Sequence, residues 1–396
     1  MKLKILSVIP YFFPASAYGG PVPIVYWICR NLVELGHEVT VFTTDAYTPK
    51  ERLRMITGKP VNVDGINVYY FKNINNNLAY SKRMFISPGL IPVAKRMVKN
   101  FDIIHLHDFY TFHNVVVGFF ANKYKVPFVI TPHGALDPVR RKQKNILKEI
   151  YINLWGQRLL RDAERIIVTA QAEVEQCLLG ETERDKIEVV PNGVTLSEFQ
   201  GLYSREKIRK KYHLSRNDKV IVFLGQIHRV KGLDLLVKVF SRLAKENSRV
   251  KLLIIGPDSG YLPTLKDLIK RKKIPRNKIV FTGLLTGKEK FSLLASGDIF
   301  VYPSYSEGFA VAILEAMAAG LPVLITDKCY FPEVAEKGTG IIVSPSEKEI
   351  YGALLKLLSD SQLRRKMGKN AQKLIRQKFV WPKIAKRLEK IYYQVV

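Results

Sequence analysis

Two doubly wound, Rossmann-like α/β domains are predicted by three observations. Short β-branched apolar runs alternate with amphipathic stretches of helical period, the alternation pauses once near mid-chain, and it then restarts. In the first half the runs fall at residues 4–9, 38–43, 103–106, 128–131 and 165–169. Between them lie helical candidates such as 24–35, apolar at Val25, Ile28, Leu32 and Leu35, the spacing of one helix face. Strands alternating with helices specify parallel βαβ units with helices on both sheet faces. The pause is the turn-forming segment Val189-Val190-Pro191-Asn192-Gly193-Val194, and the runs resume at 219–225, 250–256, 278–282, 298–303 and 322–326. The domains are therefore placed at 1–198 and 199–376. The break Phe379-Val380-Trp381-Pro382 precedes a helix at 383–393, and the segment 377–396 is expected to cross back onto the first domain. Doubly wound sheets bind ligands beyond the carboxyl ends of their strands, so two facing sheets are expected to enclose one ligand in a cleft.

Bulk properties agree with this reading and narrow it. A chain of 396 residues exceeds one ordinary core and suits two. The formal charge of +28 is uneven: residues 1–195 carry 25 basic against 17 acidic side chains, and residues 196–396 carry 38 against 18. Such a field draws polyanions, whether phosphorylated ligands, anionic lipid or nucleic acid, without choosing among them. Cys29, Cys177 and Cys329 are far apart and lie in apolar runs, which suits inert core thiols in a reducing compartment. The opening apolar run is short, stops at Pro10 and has no small-residue cleavage site, so it reads as a buried strand rather than a signal peptide. No stretch reaches the ~20 apolar residues of a spanning helix. The expected location is cytoplasmic, with peripheral contact on the inner membrane face an option.

The densest chemical signal is Ser306-Glu307-Gly308-Phe309-Ala310-Val311-Ala312-Ile313-Leu314-Glu315-Ala316-Met317-Ala318-Ala319-Gly320-Leu321-Pro322-Val323, which follows a strand. A helix N-terminus expected at 308–310 offers free amides and the positive dipole end, a site for anions and hydroxyls. Solvated glutamates on an ordinary strand–turn–helix would be the plain alternative. Against that, Glu315 sits among Ile313, Leu314, Ala316 and Met317, where a carboxylate is costly without a partner.

This segment resembles the Glu-x7-Glu motif of the family-four (group 1) retaining glycosyltransferases, including its trailing Glu-Ala-Met-Ala-x-Gly-x-Pro-Val. The resemblance implies the GT-B fold and covers almost the whole chain. It implies that Glu315 accepts hydrogen bonds from the ribose of a nucleotide-diphosphate sugar. It also places Glu307, the Gly308 turn and the Phe309 and Ala310 amides at the donor sugar. Ala310 stands where the family usually has a second glycine.

Further segments fit the same family. Gly19-Gly20-Pro21 lies between the first strand and first helix, a glycine loop where backbone can approach phosphate, and similar enzymes use it beside the diphosphate. Thr131-Pro132-His133-Gly134 follows a strand; locally it could be a turn with a hydrogen-bonded histidine, while the resemblance puts His133 at the sugar near the reacting carbon. Gly225-Gln226-Ile227-His228-Arg229-Val230-Lys231-Gly232 resembles the Gly-Arg…Lys-Gly signature whose two cations clamp the diphosphate. Lys231 matches, Gln226 replaces the usual arginine, and Arg229 is a candidate for the missing charge. His105 and His107 alternate on one strand face. No third ligand stands at suitable spacing, so no metal is expected, and an acceptor-side role is assigned to them.

The implied activity is transfer of a hexose from a nucleotide-diphosphate donor, with retention and without a divalent ion, in cell-surface polysaccharide or glycolipid synthesis. No cofactor is implied. The first domain would face a glycan or lipid-linked acceptor and the second would bind the nucleotide sugar. Two stretches join basic and apolar residues in the manner of segments that rest on an anionic membrane surface. One is 78–100; the other is Arg140-Arg141-Lys142-Gln143-Lys144 with the helix at 146–154. A nucleotide-sugar epimerase or hydrolase on the same fold competes, and would need no acceptor. A nicotinamide-dependent dehydrogenase lacks its Gly-x-Gly-x-x-Gly here. Nucleic acid is not an expected partner, because the basic residues are dispersed and no binding module is present.

Overall fold

A computed structural model of the chain describes residues 1–15, 20–48, 51–54, 58–138, 145–180 and 182–396. The chain divides into two units: unit 1 is Met1–Asn192 with Trp381–Val396, and unit 2 is Gly193–Val380.

Unit 1 is built on eight strands: β1 Lys4–Val8, β2 Glu38–Thr44, β3 Pro60–Val63, β4 Ile66–Phe71, β5 Ile103–His107, β6 Phe128–Thr131, β7 Arg165–Val168 and β8 Ile187–Val189. They lie in the order β3-β4-β2-β1-β5-β6-β7-β8. All neighbours are parallel except β3 and β4, which form a hairpin. Asp64 and Gly65 turn that hairpin, both at positive φ, as a tight hairpin turn requires. The central strands are buried on both faces; β5 is inaccessible along its whole length, which explains its unbroken apolar and histidine sequence.

Unit 2 carries β9 Lys219–Leu224, β10 Val250–Ile255, β11 Ile279–Phe281, β12 Ile299–Tyr302, β13 Val323–Thr326 and β14 Gly340–Val343. Their order is β11-β10-β9-β12-β13-β14, parallel throughout. Both sheets thus have the doubly wound plan expected from the alternation of runs.

Each sheet reverses its winding direction once, between β1 and β5 in unit 1 and between β9 and β12 in unit 2. Beyond the carboxyl ends at such a reversal, neighbouring loops part in opposite directions and leave a ligand crevice. The helix Trp381–Val395 belongs to unit 1. It packs on the helix Pro21–Glu34 through a buried side that includes Trp381, Leu388 and Tyr392. Glu389 meets His37 at 2.9 Å.

Among the described residues no helix is long and apolar enough to cross a membrane. All three cysteines are buried and unbridged. Burial pushes the Cys29, Cys177 and Cys329 thiols up to about 12, so they are inert at neutral pH.

Candidate active site

In unit 2 the loop after β9 meets the loop after β12. Residues Arg229–Lys231 form a 3₁₀ turn, started by His228, whose Nδ1 accepts from the Val230 amide at 3.2 Å. Gly232 ends it in the left-handed region at φ 67°. A Cβ there would stand 1.9 Å from the Pro303 carbonyl oxygen, so only glycine lets this turn close on the end of β12. The Val230 carbonyl accepts from the Tyr305 amide at 2.8 Å and from Ser304 Oγ at 3.0 Å. The two loops are thereby laced together across the β9/β12 reversal.

That lacing brings Lys231 to Glu307. The Lys231 ammonium donates to Glu307 Oε2, and Tyr302 Oη donates to the same oxygen at 3.1 Å. Both charged side chains are largely sheltered, at 16% and 9% exposure, and an ion pair so placed is screened far less than a surface one. Gln226 and Arg229 stand exposed on the same loop.

The helix that follows begins at Val311, with Ala310 extended as its N-cap and no side-chain cap. The N-cap thus falls within the 308–310 stretch where the sequence expects the helix N-terminus, and Gly308 and Phe309 precede it, the Phe309 ring packed on Phe331 and Phe379 at 5.0 and 5.9 Å. Four residues into the helix, Glu315 Oε1 accepts from Lys290 Nζ at 2.7 Å. Lys290, on the helix Gly287–Ala295, is the partner that an intramolecular carboxylate in an apolar run demands. Sequence reasoning missed it, since the pair joins two helices with no shared period.

In unit 1 the corresponding loops follow β1, β5 and β6. Gly20 caps the helix Pro21–Glu34 in ordinary right-handed geometry, with Pro21 in the first turn, where the missing N–H costs nothing. A Cβ on Gly20 would meet no atom within 4 Å. Gly19 lies outside the described residues. After β5, Asp108 adopts φ 66°, and after β6, His133 adopts φ 51°. Asp and His are among the non-glycine residues that adopt left-handed backbone most readily. Tyr11 Oη donates to Asp108 Oδ2 at 2.6 Å. His133 Nε2 lies 3.2 Å from His107 Nδ1. Burial pulls the His133 imidazole down to about 4, against the pull of the Asp108 carboxylate, so the ring is neutral at pH 7.

The acceptor-side role assigned to His105 and His107 does not hold. Both are buried beneath the loops. His105 is engaged at Nδ1 by Tyr392 Oη (2.6 Å) and at Nε2 by Thr131 Oγ1 (2.7 Å). Among the described residues no group of three or more His, Cys, Asp or Glu side chains gathers into a cation site.

In the basic-apolar stretch 78–100, Phe85, Leu90, Ala94 and Val98 enter the core while Leu78, Met84 and Ile91 are exposed. Ile146, Leu147, Ile150, Leu154 and Trp155 are exposed as well. The basic run 140–144 lies outside the described residues.

Two doubly wound units, each with polar loops at its winding reversal, are the parts of a GT-B glycosyltransferase, and comparison with solved structures agrees. The Anabaena protein HepE in complex with UDP and glucose superposes with a TM-score of 0.76, at 18% identity over 99% of this chain and all of that one. Two family models divide the sequence: "Glycosyl transferases group 1" matches residues 204–374 and "Glycosyl transferase 4-like domain" matches residues 19–193. The chain belongs to the group 1 glycosyltransferases. An uncharacterized glycosyltransferase of Methanocaldococcus jannaschii is 28% identical over 98% of this chain and 97% of its own. The D-inositol 3-phosphate glycosyltransferase of Corynebacterium aurimucosum is 26% identical over 99% and 96% respectively.

Proposed function

We propose that this chain is a retaining, metal-independent hexosyltransferase that takes its sugar from a nucleotide-diphosphate donor and gives it to a glycan or lipid-linked acceptor. The observation that carries the reading is the sheltered Lys231–Glu307 pair, held at the β9/β12 reversal by two interlocked loops. Departure of a nucleoside diphosphate leaves charge on the β-phosphate, and a fixed cation in a sheltered site is the means of stabilising it. Lys231 supplies that cation and exposed Arg229 supplements it where Gln226 replaces arginine. Glu307 orients Lys231 and, with the Phe309 and Ala310 amides and the Gly308 turn, receives the sugar hydroxyls. Glu315 accepts from the ribose. In unit 1 the family resemblance assigns Gly19 and Gly20 to the diphosphate and His133 to the sugar.

No side-chain nucleophile is invoked. The acceptor hydroxyl attacks the face from which the diphosphate leaves: the new C1–O bond forms as the C1–O–phosphate bond breaks, and the hydroxyl proton passes to the departing phosphate oxygen. Exposed Ile146, Leu147, Leu154 and Trp155, with Lys148 and Arg158 on the same segment, support contact with an anionic leaflet on the cytoplasmic side. The UDP and glucose bound to HepE and the phosphorylated inositol named for the corynebacterial relative favour a uridine donor and a hydroxylated, anionic acceptor.

A panel of nucleotide sugars and acceptors, with the product anomer read by NMR and the assay repeated in EDTA, tests the reading. Retention and full activity in EDTA are expected. Lys231→Gln should lower kcat/KM ~100-fold, the scale for losing one transition-state contact, and Arg229→Gln should lower it less. Inversion of the anomer, or loss of activity in EDTA restored by a divalent ion, rejects the mechanism. Donor turnover that does not depend on acceptor instead identifies an epimerase or hydrolase.

A further inference from the structure

His107 touches two other histidines of unit 1. Its ring lies 3.8 Å from that of His105 and 5.4 Å from that of His133, nearly parallel to the latter at 21°. His105 is itself anchored by Tyr392 and Thr131, so the ring against which His107 packs is fixed. His107 Nδ1 faces His133 Nε2 at 3.2 Å, while His107 Nε2 is buried and has no partner among the described residues.

Two ring nitrogens facing each other share one proton, and two arrangements are open to a neutral pair. If His133 Nε2–H donates, His107 carries its own proton on Nε2, an N–H sealed from water with nothing to receive it. If His107 Nδ1–H donates, only a lone pair is left without a partner. Buried donors without acceptors are rarer in folded proteins than under-used acceptors. An imidazolium at His107 would leave the same stranded N–H and add a charge, which burial opposes.

We propose that His107 is a positioning residue that donates from Nδ1 to His133 Nε2 and so fixes His133 as the neutral tautomer protonated on Nδ1. The tautomer follows from the geometry; its consequence for the reaction rests on the placement of His133 at the donor sugar. With its one lone pair committed to His107, His133 meets a ligand as a hydrogen-bond donor to a hydroxyl or phosphate oxygen. It does not serve as a proton acceptor.

Nitrogen–proton correlation spectra of the ¹⁵N-histidine-labelled protein read the tautomer directly, with the His133 signals identified by their loss in His133→Gln. The wild type should show His133 protonated on Nδ1. In His107→Leu the proton should move to Nε2 or exchange between both, with kcat falling about tenfold, the scale of one lost hydrogen bond, and donor KM changing less. His107→Asn, whose amide sets an N–H near the position of Nδ1, should restore the Nδ1 signature and most of the rate. A wild-type His133 protonated on Nε2 overturns the proposal, and so does a His107→Leu spectrum in which His133 is unchanged. Full activity of His133→Gln beside a wild-type Nδ1 signature removes His133 from the donor site and leaves the tautomer assignment standing.

Discussion

Glu315 shows how a single misplaced charge exposes a site. Its neighbours Ile313, Leu314, Ala316 and Met317 are fully buried, and the carboxylate survives among them because Lys290 reaches it from another helix. The anomaly was legible in the sequence; the remedy was not, because 25 residues and a strand separate the partners. Glu315→Ala should weaken binding of a nucleoside diphosphate by ~1.5–3 kcal/mol, the usual range for a bond to a charged group, as read by calorimetry. Unchanged affinity in a folded variant would remove Glu315 from the nucleotide. Lys290→Met should lower stability by stranding the carboxylate. The double variant should recover part of that loss, a coupling that denaturant titration of all four proteins measures.

Loops and their glycines set the next scale, where Gly232 and Gly20 differ. Gly232 is required by the fold itself, since its turn is left-handed and a methyl would strike the Pro303 carbonyl. Gly20 has right-handed geometry and open space around it. Gly232→Ala should therefore destabilise unit 2 by at least the ~1–2 kcal/mol of a left-handed alanine. Gly20→Ala should leave the melting temperature unchanged and weaken donor binding, because no described residue stands within 4 Å of its methyl, whereas the proposed diphosphate would. A lowered melting temperature in Gly20→Ala would contradict this.

Sequence periodicity located ten of the fourteen described strands, because parallel, doubly covered strands must be apolar along their length, and it missed the hairpin pair β3 and β4 and the edge strands β8 and β14. It placed the N-terminus of the Val311–Ala318 helix to within a residue, but not the packing of Phe309, just before it, on the distant rings Phe331 and Phe379. The histidine contacts beneath His133 were hidden for the same reason: β5 and β6 become neighbours only in the folded sheet.

For the molecule as a whole, those histidines, with His113 buried on the helix Phe112–Tyr124, contribute a sensitivity to acid. Burial holds His105 and His113 down at about 3 and His133 at about 4, and His107 well below the ordinary 6.5. Because the folded-state values are lowered, the unfolded chain binds more protons below pH 6.5. Stability is therefore full above that pH and falls as pH drops toward 4, by up to about 1.4 kcal/mol per pH unit for each ring. All four rings lie in unit 1, so acid should open that unit first. Hydrogen exchange at pH 5 should show β5 and β6 losing protection while β9 and β12 keep theirs; simultaneous loss in both units would refute the prediction.

Unit 2 is one uninterrupted stretch, whereas unit 1 is split around it, and this gives the two units different histories on the ribosome. Every residue of unit 2 has been made before the helix Trp381–Val395 exists. Until then the side of Pro21–Glu34 that this helix covers stays open, and His105 lacks Tyr392. The half of the enzyme begun first is the half completed last, and its unfinished surface is what a chaperone would meet on a nascent chain.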